Sequence, residues 1–133
     1  MPPYTIQKFD DEPIVLTIFY QDYRLALHGQ EGTAELMATL DAQTASVFLI
    51  LDMRALVLSM NDLLRAITLS TQQYQLFKHS HVTEVVMITD KPFLKASADA
   101  MRNPLFGNIR IPVFDSVDAA LAYARSQIAA ARS

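Results

Sequence analysis

Ser46-Val47-Phe48-Leu49-Ile50-Leu51-Asp52-Met53-Arg54 is the stretch whose reading decides the fold. Val47 to Leu51 are five consecutive large apolar residues. A strand that is apolar on both faces has to be covered on both faces. That predicts a central, mostly parallel strand with helices above and below it. The run stops at Asp52, where the chain is expected to emerge at the carboxyl edge of the sheet.

Upstream, Tyr4–Phe9 alternates weakly and reads as a short strand. Asp10, Asp11, Glu12 and Pro13 form a polar turn. Ile14–Tyr20 is β-branched and aromatic, a strand pattern. So short a turn predicts an antiparallel hairpin at one side of the sheet. In residues 21–43, Leu36, Met37 and Leu40 sit at helical spacing, with Thr33 as a candidate cap. Gly29 and Gly32 weaken any helix extended backward, each by about 1 kcal/mol relative to Ala. Tyr23–His28 fits either the first part of a long helix or a second hairpin strand. The helix is preferred, because Gln21-Asp22 lacks the Asn-Gly turn signature and the path to a buried parallel strand runs through a helix.

Downstream, Ala55, Leu56, Val57 and Leu58 form an apolar loop. Ser59 and Asp62 have the spacing of an N-cap and its N3 acid. The helix they start would bury Leu63, Leu64, Ile67, Thr71, Tyr74 and Phe77. Val82–Thr89 is a further strand. Asp90-Lys91-Pro92 starts a helix, with Pro92 tolerated in the first turn, and Asn103-Pro104 ends it. Ile109, Ile111 and Val113 alternate, predicting a last strand to Phe114. Pro112 puts that strand at an edge or at its own end. Asp115 or Ser116 caps a final helix whose inner face is Val117, Leu121, Ala124 and Ile128. The expected order is ββαβαβαβα. It describes an α/β sandwich with a mostly parallel five-stranded sheet, an antiparallel N-terminal strand and about four helices. One domain spanning 4–130 is expected, with residues 1–3 and 131–133 frayed.

Composition narrows the function classes. The chain has 133 residues, 51% of them hydrophobic, which suits a single domain with a real core. Lys and Arg total 11 against 14 Asp and Glu, a net charge of −3. With no basic excess to neutralise phosphates, no nucleic-acid partner is expected. Cysteine is absent, which excludes disulfides, thiol nucleophiles and Cys-ligated metals, and fits a cytoplasmic setting. No apolar run approaches the roughly 20 residues of a membrane helix.

The three glycines form no phosphate-binding loop, and no Gly-x-Ser-x-Gly elbow occurs. His79 and His81 have a spacing that can share a metal, but no third ligand is signposted, and they read more plainly as solvated loop residues. His28 stands alone and reads as a surface or core-edge residue. The remaining candidate is positional, because ligands of open α/β sheets bind outside the carboxyl ends of the strands. There the chain places Asp52 and Arg54, then Thr89, Asp90 and Lys91, then Asp115 and Ser116. Asp90, Asp115 and Ser116 are also ordinary helix-capping types. A receiver-type phosphoacceptor at Asp52 is rejected: it needs a Lys after the last strand, where an acid, Asp115, stands.

Phe48–Leu64, through Asp52, Arg54, Ser59 and Asp62, resembles the strand–loop–helix centre of STAS domains, the fold of anti-sigma-factor antagonists and SpoIIAA-like proteins. Ile111–Tyr123 resembles their last strand and helix, and the element order agrees. The resemblance implies a regulatory, protein-binding module. Antagonist-type members carry a phosphorylatable serine in a segment that aligns here with Met60, Asn61, Asp62 and Leu63, so that serine is missing. Asp62 carries less charge and fewer acceptor oxygens than a phosphoserine. The likeness is nearest to the SpoIIAA-like branch related to the lipid-carrying CRAL-TRIO domains.

The leading expectation is a non-enzymatic interaction module with no cofactor or metal. Its partner is a protein, with a homodimer as one form. The contact residues would be Asp52, Arg54, Leu56, Leu58, Ser59, Asn61, Asp62, Asp90 and Lys91. Apolar loop residues beside a helix start suggest a protein-facing patch. The alternative is a domain that binds a small apolar or lipid-like ligand between Met-containing helices. An enzyme working through Asp52, Arg54 and Asp90 is the third reading.

Overall fold

The computed structural model describes residues 2–57, 76–104 and 108–132. β1 (Tyr4–Lys8) and β2 (Ile14–Phe19) form the expected antiparallel hairpin. Helix α1 (Leu25–Asp41) leads to β3 (Val47–Asp52). β4 (Val82–Ile88), α2 (Pro92–Ala100), β5 (Val113–Phe114) and α3 (Val117–Arg132) follow. The five strands make one sheet in the order β1-β2-β3-β4-β5, parallel except for the first pair.

β3 is the middle strand, and all six of its residues are buried. Side chains alternate across a strand, so each face receives half of the run. Val47, Leu49 and Leu51 pack with Leu36 and Leu40 of α1, Leu76, and Leu94 and Ala98 of α2. Phe48 and Ile50 pack on the other face with Ala120 and Ala124 of α3. The two-sided apolar run therefore has the two-sided cover that its composition requires.

Four expectations need correction. The last strand is only Val113–Phe114, not Ile109–Phe114. Ile109 and Ile111 are buried, so their alternation reports burial and not a ladder. Pro112 has no N–H to donate; its carbonyl accepts from Met87 N just before the strand begins. Thr33 is not a cap, because α1 already starts at Leu25 and carries Gly29 and Gly32 in its interior. Asp90 is not a cap either: Lys91 holds that position in α2, with no side-chain cap bond. Ser116 does cap α3, its Oγ accepting from Ala119 N at 3.1 Å. Finally, three helices lie among the described residues instead of about four. The helix expected from Ser59 falls outside them, save Leu76 and Phe77 at its end.

Candidate functional site

Asp52 was expected where the central strand meets water. It is instead 4% exposed, the last residue of β3, flanked in register by Ile18 and Ile88. Burying a carboxylate is costly unless it is paired and hydrogen-bonded. The chain turns back at once, and Leu56 N donates to Met53 O at 3.2 Å. Arg54 thereby returns its guanidinium to the same carboxylate. Arg54 Nε donates to Oδ1 at 3.0 Å, Nη2 donates to Oδ2 at 2.8 Å, and the Arg54 backbone N donates to Oδ1 at 3.2 Å. This two-pronged geometry is the strong form of an Arg–carboxylate pair. The bond to Asp52 pushes the Arg54 titration up, opposed by some burial and reinforced by the charges of Asp52, Asp90 and Asp115.

The three strand ends do converge. Thr89 is fully buried after β4, and its Oγ1 accepts from Lys91 N at 3.1 Å. That turn sends Lys91 toward the neighbouring loop, where its Nζ donates to Arg54 O at 2.5 Å. Asp90 is exposed and 3.8 Å from Lys91 Nζ. α2 packs on the sheet face of Val85 and Met87, whereas α3 packs on the face of Val86 and Ile88. The connections after β4 and β5 therefore diverge to opposite faces. Thr89, Asp90 and Lys91 lead to one face, and Asp115 and Ser116 lead to the other.

Of the apolar loop, Leu56 is buried at 7% exposure, so it belongs to the chain's own core and not to a partner-facing patch. Val57 is 57% exposed. Leu58, Ser59, Asn61 and Asp62 lie outside the described residues. Sequence reasoning missed Phe93, which is 54% exposed in the first turn of α2, next to the Lys91 that reaches the Arg54 loop. Its place in a helix start gave no signal, since an apolar residue there is normally taken inward.

The histidines are not simply solvated. The His79 side chain is 7% exposed, and its Nε2 meets Asp41 Oδ1 at 2.6 Å. His79 Nδ1 accepts from His81 N, and His81 Nδ1 donates to Leu40 O at 2.8 Å. They fasten the loop before β4 to the end of α1. No group of three His, Cys, Asp or Glu able to hold a metal occurs among the described residues. No described helix is long and apolar enough to cross a membrane. The Thr17 hydroxyl in β2 is buried with no hydrogen-bond partner among the described residues, a feature with no sequence signature.

A mixed five-stranded sheet with α1 and α2 on one face and α3 on the other defines the class. Among solved structures, the chain is similar to an uncharacterised DUF3478-family protein from Shewanella loihica with a SpoIIAA-like fold. The likeness has a TM-score of 0.56 at 14% identity and covers 91% of each chain. The chain thus has a SpoIIAA-like fold. No family model and no curated protein matches it.

Proposed function

We propose that this chain is a non-enzymatic, protein-binding module of the SpoIIAA-like type, contacting its partner through the loop after β3 and the start of α2. The observation that carries the reading is the pair of exposed apolar side chains, Val57 and Phe93, on two segments tied together by Lys91 and Arg54. Exposed apolar groups beside a rigid polar network are what a binding surface offers. Asp52 supports the same reading. Its carboxylate takes three hydrogen bonds from Arg54, which suits a strut holding the loop better than a base awaiting a proton.

The test is affinity capture with the wild type and with Phe93→Asp and Val57→Asp. A partner bound by the wild type and lost from both folded variants supports the surface. A partner retained by both contradicts it. Asp52→Asn should loosen the loop and weaken capture without abolishing it. A turnover activity eliminated by Asp52→Asn would instead favour the enzyme reading.

The alternative is a domain for an amphipathic, lipid-like ligand, whose polar group would bond the Thr17 hydroxyl, unpartnered among the described residues on the sheet face covered by α1. Native mass spectrometry of the purified chain tests it. A stoichiometric co-purified apolar molecule favours it, and a bare chain mass counts against it.

A further inference from the structure

β1 is the terminal strand of the sheet, and its hydrogen-bond pattern shows which way its backbone points. Tyr20 N donates to Pro3 O at 2.9 Å and Phe9 N donates to Ile14 O at 3.0 Å. With the register Thr5↔Ile18 and Gln7↔Leu16, the odd-numbered residues of β1 turn their backbone groups toward β2. Bonded pairs alternate with non-bonded pairs in an antiparallel ladder. Tyr4, Ile6 and Lys8 therefore turn their N–H and C=O groups outward, to the open margin.

An open margin is normally blunted by proline, by a bulge or by an outward lysine. Here Pro2 and Pro3 precede the strand, and no proline lies within it. Lys8 does not stand guard, because its ammonium is turned back onto the carbonyls of Phe9 at 2.5 Å and Glu12 at 2.8 Å. The opposite margin, β5, has only two residues, with Pro112 before it and Asp115 after it.

We propose that a second copy of this chain pairs with β1 antiparallel about a two-fold axis through Ile6, joining two five-stranded sheets into one. The outward residues are self-complementary in that register: Ile6 faces Ile6, and Tyr4 faces Lys8 of the other copy. About six backbone hydrogen bonds result, two for each outward pair. Facing residues in a ladder share one side of the sheet. Ile6 packs on the α1 side, and Tyr4 lies there against Gly32 and Tyr23. Glu31 and Glu35 lie one turn apart on α1, next to the Gly32 that Tyr4 contacts; burial, then Glu35 and Glu31, pushes the Tyr4 titration up. Lys8 of the second copy arrives opposite Tyr4, and its ammonium, swung off the carbonyls of Phe9 and Glu12, meets Glu35 and Glu31. The match in charge and the match in register select the same pairing.

Sedimentation equilibrium tests this. At about 100 µM, well above a micromolar Kd, the wild type should sediment at twice the chain mass, and a strict monomer would overturn the proposal. Ile6→Pro removes an N–H that β2 does not use, so a folded variant should be monomeric. A folded Ile6→Pro dimer would place the contact elsewhere and overturn it. Should that variant fail to fold, Lys8→Glu decides. It should weaken association about tenfold, since two symmetry-related attractions become repulsions, and unchanged association overturns the proposal. Adding Glu35→Lys to Lys8→Glu should restore the dimer, and a pair that stays weak overturns this register.

Discussion

The two margins of the sheet are held by different means. β1 is held by its backbone, with five residues in continuous register with β2, while its side chains are half-buried or exposed. β5 is held by its approach: only Val113 and Phe114 pair with β4, but Ile109 and Ile111 just before them are buried in the core. A margin fastened by backbone leaves alternate backbone groups facing outward. A margin fastened by side chains can be too short to template anything. One sheet thus carries an open margin and a closed one.

Truncation should break this comparison most visibly. Ile111→Ala removes a buried side chain and should cost about 3 kcal/mol in urea unfolding. Ile6→Ala removes a half-buried one and should cost about 1 kcal/mol. Equal losses would show that the two margins are anchored alike. Ser116→Ala frees the Ala119 N–H where α3 leaves the closed margin, and should cost about 1 kcal/mol by the same measurement.

Gly32→Ala works in the other direction. A Cβ at Gly32 would sit 3.6 Å from the Tyr4 ring, an ordinary contact, so the glycine is not sterically required. Its replacement should stabilise α1 beside the open margin by about 0.5–1 kcal/mol, read as a raised Tm. A lowered Tm would mean that Tyr4 cannot yield.

The smallest effect concerns the tie between the β1–β2 turn and α3. The Arg125 guanidinium donates to both oxygens of Glu12, at 2.8 and 3.0 Å, and this bond holds the carboxyl below its usual range. A depressed folded-state value stabilises the fold above the ordinary carboxylate range. That contribution is lost as the pH falls through the folded value. Both groups reach solvent, so the effect is small. Glu12→Gln should slightly narrow the gap in Tm between neutral and acidic solution, and an unchanged gap would show the tie to be idle.

The centre of the fold was legible because Val47–Leu51 is apolar at every position, and only two-sided cover satisfies such a run. The hairpin was legible from β-branched residues on either side of an acidic turn. The last strand was over-read, since Ile109, Ile111 and Val113 alternate whether their backbones pair or merely pass over a core. The site was legible as a set of positions but not as an arrangement. Asp52 followed by Arg54 looks like any strand returning to water. That Arg54 doubles back onto a buried carboxylate depends on the reversal at Met53–Leu56 and on Ile18 and Ile88 of neighbouring strands. The hairpin's place at one side of the sheet was legible, but which backbone groups of β1 turn outward was not, because that depends on its register with β2.

Residue-resolved amide hydrogen exchange, followed from dilute to concentrated solution, tests the contrast between margins most directly. The expected result is fast exchange at Tyr4, Ile6 and Lys8 beside slow exchange at Thr5 and Gln7 in dilute solution, with the three fast amides becoming protected as concentration rises. Protection at Ile6 equal to that at Gln7 in dilute solution, or no gain in protection on concentration, would contradict it.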